Sequence, residues 1–350
     1  MLNTLTEQLR RREPLTGEQV QGAISQLTNE AVPADAKAEF LTALAQKGET
    51  TEEIAAFARQ LRELSVQPPL DAETRAREIL DVCGTGGDRL NTFNISTTVA
   101  IVCASAGVTV AKHGNRAITS QAGSADVLEA LGIRIDLTPE EAARSLREHR
   151  FAFFFAQKYH PAFKNIGPAR KLCADRGQRT IFNFLGPLLN PARPSAQLIG
   201  VPRPQLCEPM ARVLQSLGVR RGMVVSGRVE PKVQGTEAHL DEFSTLGENT
   251  VAEFYQDRGF ATSALLPDNF PLQPAALADL AGGDREVNAA ILRRLLGGED
   301  RGPRRDAVLL NAAAALFVAG QTLSLTDGWE LAAQLIDSGQ AAKKLKALAG

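Results

Sequence analysis

An α/β protein is the fold class this sequence predicts, with a small all-helical N-terminal domain and a larger domain built on a central, mostly parallel sheet flanked by helices. Three observations lead there. Apolar residues recur at three- and four-residue steps between positions 1 and 66, which is the period of amphipathic helices. From Ile79 onward, short apolar runs alternate with helical stretches, as parallel strands with crossover helices do. The 350 residues, 44% hydrophobic and 23% charged, are enough for two domains with proper cores.

The N-terminal helices are marked by Val20, Ile24 and Leu27, and again by Phe40, Leu41 and Leu44. Thr16 with Gln19 and Thr50 with Glu53 have the spacing of capping boxes, in which hydroxyl and later side chain satisfy each other's free backbone donors. The pattern changes near Pro68, Pro69 and Asp71. There follow ILDVC, STTVAIVCASAG, VTVAK, SADVLEALG, IRI, a helix opened by Thr138-Pro139, and FAFFFA. After a proline-rich passage from Gly186 to Pro204, a helix near 207–217 and a strand at GMVVSG are expected. Helices dominate from about 287, and GGEDRGPRRD at 297–306 reads as an exposed loop. The expected division is a helical domain over 1–70, joined by helices from about 165–200, and an α/β domain over 71–350.

Bulk properties exclude more than they name. A formal net charge of -1 supplies no basic field for a nucleic-acid backbone, so an anionic ligand must be gripped by a local site. No run approaches the roughly 18 apolar residues of a membrane span, and MLNTLTEQLRRREPLT lacks the apolar core of a secretion signal. A cytoplasmic protein is expected. Cys83, Cys103, Cys173 and Cys207 form no Cys-x-x-Cys pair and are read as reduced thiols.

The chemistry concentrates in two loops. Asp81-Val82-Cys83-Gly84-Thr85-Gly86-Gly87-Asp88 ends a buried strand and continues with three glycines in four residues. Glycine reaches positive φ cheaply and has no side chain to block approach, so backbone N–H groups can converge on an anion. Asn94-Ile95-Ser96-Thr97 then opens a helix whose free N–H groups and positive dipole end favour phosphate. Alone, GTGG is as often a plain turn, and an isolated Ser-Thr pair such as Ser96 and Thr97 more often caps a helix than binds a ligand. The spacing matches neither the P-loop nor the dinucleotide glycine pattern. Lys112-His113-Gly114-Asn115-Arg116 follows the next strand, at the carboxyl end where open α/β sheets bind ligands.

GTGGD, NIST, KHGNRAITSQAGSADVLEALG, YHPAFKNIGPAR, RTIFNFLGPLLNP and LDE occur here in the order seen in anthranilate phosphoribosyltransferases, and the resemblance spans essentially the whole chain. It implies transfer of a phosphoribosyl group from phosphoribosyl pyrophosphate to the amine of anthranilate, with Mg2+ as cofactor and a homodimer formed through the N-terminal helices. Carried onto this sequence, it implies that Gly84, Thr85, Gly86, Gly87, Asp88, Thr92, Asn94, Ser96, Thr97, Lys112 and Ser124 bind phosphoribosyl pyrophosphate. Ser96, Asp241 and Glu242 would hold the metal, and magnesium is indeed commonly held by one or two carboxylates plus substrate phosphates. Gly84, His113, Asn115, His160 and Arg170 would bind anthranilate, Arg170 through its planar donor fork on the carboxylate. His113 is the one candidate catalytic residue. Arg179 and Asn183 would organise the helix and hinge.

Two segments depart from the family pattern. KLCADRGQ after Arg170 is about three residues longer than usual, and SGRVEPKVQGTEAHLDE is expanded, with His239 where glycine is common. Two other readings stand beside this one: a pyrimidine nucleoside phosphorylase-like enzyme, and a non-catalytic homologue that binds nucleic acid.

Overall fold

The structure is a computed structural model that describes residues 1–117, 121–256 and 259–350. Ile118–Ser120, within the KHGNRAITSQAGSAD motif, lie outside the described residues.

Four helices open the chain: α1 (Leu2–Arg10), α2 (Gly17–Thr28), α3 (Ala34–Lys47) and α4 (Thr51–Glu63). Both expected capping boxes form, at Thr16 and Thr50. Glu53 does more than cap. It accepts from Leu15 N at 2.9 Å, Thr50 N at 2.8 Å and Lys47 Nζ at 2.7 Å, so one buried carboxylate joins three stretches of the bundle.

A short α5 (Ala72–Ala76) leads into the larger unit: β1 (Ile79–Gly84), α6 (Ile95–Ser105), β2 (Thr109–Gly114), α7 (Ser124–Ala130), α8 (Pro139–His149), β3 (Phe151–Phe155) and α9 (Ala156–Tyr159). It continues through α10 (Gly167–Asp175), β4 (Ala196–Gly200), α11 (Cys207–Ser216), β5 (Arg221–Val233), β6 (Thr236–Leu240), β7 (Asn249–Tyr255) and β8 (Gly259–Leu265). Helices α12 (Arg285–Leu296), α13 (Pro303–Val318), α14 (Leu325–Asp337) and α15 (Gln340–Ala349) follow.

The sheet runs β3-β2-β1-β4-β5-β7-β8, with β6 also on β5. Strands β3 to β5 pair in parallel, whereas β5, β6, β7 and β8 pair antiparallel. Alternate strand residues face opposite cores, as the two-residue period requires: Leu80, Val82 and Leu198 join the core under α6 and α12–α15, while Cys83 and Ile199 join the one shared with α1–α4, Ile166–Leu189 and α11.

Three expectations need correction. IRI at 133–135 forms no strand; Ile133 and Ile135 are buried under the sheet from irregular backbone, so burial alone produced the apolar run. The loop expected over 297–306 is shorter, because α13 begins at Pro303 and buries Arg305 and Asp306. GMVVSG is the start of a longer strand, whose continuation pairs with β6 and absorbs the expansion before Asp241 as a hairpin.

Candidate active site

Chain order reverses between β1 and β4, and open α/β sheets bind ligands outside the strand ends at such a switch point. The two strands end side by side, with Gly84 opposite Gly200 and Thr85 N donating to Gly200 O at 3.0 Å. Asp241, arriving from β6, is wedged against both ends. A Cβ on Gly84 would stand 2.6 Å from Asp241 Oδ2, and one on Gly200 would stand 1.6 Å from Asp241 O. These glycines exist so that the acidic loop can approach. Gly200 was not singled out from sequence, since a glycine closing LIG resembles any strand end.

The glycine loop folds over this acid. Gly86, at φ +75°, donates its N–H to Asp241 Oδ2, and Asp241 N meets Asp88 Oδ2 at 3.4 Å. Burial, then the charges of Asp88 and Glu242, push Asp241 well above the usual carboxylate range. Burial pushes Glu242 up to about 7, against the pull of nearby Lys112 and of hydrogen bonds from Ser96. Lys112, fully buried, donates to Val82 O at 2.7 Å and to Ser96 Oγ at 3.3 Å. Ser96, Asp241 and Glu242 are thus brought together. Buried acids that repel one another are what a divalent cation relieves, and oxygen ligands suit magnesium. Among the described residues no three His, Cys, Asp or Glu side chains form a metal-holding group of their own; phosphate oxygens of a substrate would complete this set.

The other anion-site residues lie around the same mouth. Asn94 precedes α6 without capping it, and its buried Oδ1 has no partner among the described residues; the same holds for Thr85 Oγ1. Thr97 Oγ1 bonds Ser124 Oγ at 3.1 Å. Gly87 packs toward Pro202, and Thr92 is held by a bridge to Ala281.

A second group lines the wall between sheet and bundle. His113 Nδ1 lies 3.2 Å from Gly186 O, which can only accept, so Nδ1 carries the proton; its Nε2 lies 3.2 Å from Nε2 of His160. Burial, then the neighbouring His160, lowers His113 to about 3, and burial lowers His160 to about 4. Rings continue outward from His160 to Phe163 at 5.2 Å and to Phe182 at 5.6 Å, where the Arg170 guanidinium lies 5.4 Å from the ring centre. The segment after Arg170 continues α10 to Asp175 and turns in the left-handed region at Gly177, so Arg170 lies on the helix. Asn115 stands apart, its Oδ1 accepting from Arg116 N. Arg179 is exposed, while Asn183 closes the local turn at Thr180.

Sequence reasoning gave no role to Asp81 and Asn190. Asp81 accepts from Asn190 Nδ2 at 2.9 Å and His113 N at 3.3 Å, and burial raises it to about 6. An acid inside ILDVC looks like an ordinary strand residue, and its partners are remote in sequence.

Residues 76–342 match the family described as glycosyl transferase family, a/b domain, and residues 3–65 match its helical bundle domain. Anthranilate phosphoribosyltransferase of Lacticaseibacillus casei is 45% identical over 348 residues, covering 99% of this chain and 96% of that protein. The chain belongs to the anthranilate phosphoribosyltransferase family. The same enzyme of Symbiobacterium thermophilum is 46% identical, again over 99% of this chain and 96% of its own. Among solved structures, the anthranilate phosphoribosyltransferase of Thermus thermophilus superposes with a TM-score of 0.87 at 41% identity, over 99% of this chain and 98% of that one. That of Saccharomyces cerevisiae, in complex with PRPP and Mg, reaches 0.86 at 28% identity over 99% and 96%. The anthranilate phosphoribosyltransferase fold thus accounts for both the helical bundle and the mixed, mostly parallel sheet.

Proposed function

We infer that this chain transfers the phosphoribosyl group from phosphoribosyl pyrophosphate to the amine of anthranilate, giving N-(5-phosphoribosyl)anthranilate and pyrophosphate, a step of tryptophan biosynthesis. One observation carries the reading: the Asp241–Glu242 pair is seated against the Gly84–Asp88 loop at the switch point, in a chain 45% identical throughout to a named enzyme of this activity. Yeast relatives bind PRPP with Mg, and 4-fluoroanthranilate, which supports both substrates and the cofactor.

Gly84, Thr85, Gly86, Gly87 and Asp88, with Thr92, Asn94, Ser96, Thr97, Lys112 and Ser124, are our proposed phosphoribosyl pyrophosphate site. Ser96, Asp241 and Glu242 would hold Mg2+, which when bound would supply charge neutralisation for pyrophosphate. The Lys112 ammonium favours the same charge and needs little reorganisation, because Val82 O and Ser96 Oγ already hold it in place; the Gly86 N–H, held by Asp241 Oδ2, would exchange that partner for phosphate. The amine attacks C1 of the ribose opposite the leaving group; the C1–N bond forms as the C1–O bond breaks, pyrophosphate takes the electron pair, and the amine gives up a proton. Gly84, His113, Asn115, His160 and Arg170 are our anthranilate site. Arg170 has no acidic partner among the described residues and supplies the fork for a carboxylate. Both nitrogens of His113 are engaged, which favours a positioning role over that of proton acceptor. Phosphoribosyl transfer favours a homodimer no more than a monomer; for the dimer through the N-terminal helices we rely on the family resemblance. Four buried free thiols suit a reducing cytoplasm.

The test is loss of anthranilate fluorescence with phosphoribosyl pyrophosphate and magnesium. Turnover that needs all three components is expected; phosphorolysis of thymidine in its place would overturn the assignment.

A further inference from the structure

Gly186-Pro187-Leu188-Leu189 form a single 3-10 turn, and the backbone of the first three is held by side chains from different parts of the chain. His113 of β2 meets Gly186 O at 3.2 Å. Gln197 of β4 donates to Pro187 O at 3.0 Å. Arg62, in the last turn of α4, donates through Nε to Leu188 O. His160 reaches the turn through His113, its Nε2 lying 3.2 Å from Nε2 of that ring. The next residue, Asn190, is fixed in turn by Ala111 O at 2.6 Å and by Asp81.

Two of these four side chains, His113 and Gln197, come from the sheet, and one, His160, from the segment after β3. Only Arg62 comes from the helical bundle. It is 5% exposed, and its Nη2 is buried with no partner among the described residues. Burying a guanidinium on one carbonyl is costly, and an apolar side chain would fill that space more cheaply. Leu188 and Leu189 already pack into the bundle's core, so apolar adhesion of the turn needs no arginine. What the arginine adds is direction: a charge-assisted donor fixes the carbonyl where a leucine contact would let the turn slide.

We propose that Arg62 is a positioning residue of the anthranilate pocket, tying the helical bundle to the Gly186–Leu189 turn and, through the turn's backbone, setting the rings of His113 and His160. It rests on the pocket assigned above. Arg62 itself touches neither substrate nor reacting atoms.

The test compares wild type with Arg62→Met, Arg62→Lys and Gln197→Met. It reads both Michaelis constants, the thermal midpoint, and the ring-nitrogen NMR signals that report which nitrogen of His113 carries the proton. In Arg62→Met the anthranilate KM should rise about tenfold and that for phosphoribosyl pyrophosphate should stay within about twofold. The His113 signal should change from a single Nδ1–H form to a mixture. Arg62→Lys, which keeps a donor, should recover part of both effects, and Gln197→Met should move them in the same direction. If Arg62→Met is too unstable to purify, the Lys and Gln197 variants decide on the same readouts. A lowered midpoint with His113 unchanged, or an equal rise of both KM values, would make Arg62 a plain structural residue and overturn the proposal. Absent wild-type turnover would sink the function instead, while the His113 signal would still judge whether Arg62 sets that ring through the Gly186–Leu189 turn.

Discussion

Arg170 and the histidine pair illustrate how single residues here depend on neighbours far along the chain. Arg170 was singled out because an arginine ending HPAFKNIGPAR belongs to a specific motif, yet its place over the Phe182 ring was not foreseen, because nothing in sequence aligns those two side chains. Arg170→Ala should lose a charge-assisted contact worth about 1.5 to 3 kcal/mol, raising the anthranilate KM about ten- to a hundredfold. Arg170→Lys should recover only part, since a point charge lacks the fork; an unchanged constant in the alanine variant would remove this residue from the site. His113 and His160 give a pH signature. Both are held neutral, near 3 and 4, while the unfolded chain protonates near 6.5. The unfolded state therefore binds more protons as pH falls below 6.5, and the stability present above that value is progressively lost toward pH 4. Thermal midpoints from pH 7 to pH 4.5 should fall, and less steeply in His160→Gln; parallel curves would show that other groups control the acid limb. Asp81, Asn190 and Arg62 stayed hidden for one reason: a polar residue in an apolar stretch reveals its purpose only through partners, and theirs lie on other strands and helices.

Elements with a local signal were read well. Capping boxes at Thr16 and Thr50 depend on residues three apart, and parallel strands with crossover helices announce themselves by alternation. The antiparallel arm from β6 to β8 was missed, because β6 and β8 are largely exposed and polar residues interrupt all three strands, the mostly buried β7 included. That arm matters, since it delivers Asp241 to the ends of β1 and β4. Two glycines of that junction should respond differently to one methyl group. Gly86 has open space around it, so Gly86→Ala should cost only the left-handed backbone, about 1–2 kcal/mol, and chiefly weaken phosphoribosyl pyrophosphate. Gly200→Ala must displace the Asp241 backbone, which would stand 1.6 Å away, and should cost on the order of 3 kcal/mol with loss of magnesium-dependent turnover. Denaturant midpoints and both KM values separate the cases; equal destabilisation would mean the loop near Asp241 is softer than its packing implies.

The whole molecule holds its acids in an uneasy arrangement that ligands should relieve. A ligand bound only by the folded state stabilises it by RT ln(1 + [L]/Kd), about 2.7 kcal/mol at a hundredfold excess over Kd. Phosphoribosyl pyrophosphate with magnesium should therefore raise the thermal midpoint, and either alone should do less. In Asp241→Asn with Glu242→Gln the joint gain and the turnover should vanish while the unliganded fold persists; a retained joint gain would place the metal elsewhere. The general architecture was legible because periodicity survives over long stretches. The site's assembly was not, because it draws on segments from Arg62 to Glu242. One further property follows from α6, whose first turn carries Ser96 against Lys112. Every residue from Ile95 to Ala104 is buried, and the helices packed over it include α13, α14 and α15, between residues 303 and 349. A ribosome releases α6 long before this cover, so a growing chain carries an apolar helix that can lie on β1 and β2 but whose other face is bare. Synthesis that pauses before residue 303 should thus yield a nascent chain that holds chaperones and binds no substrate.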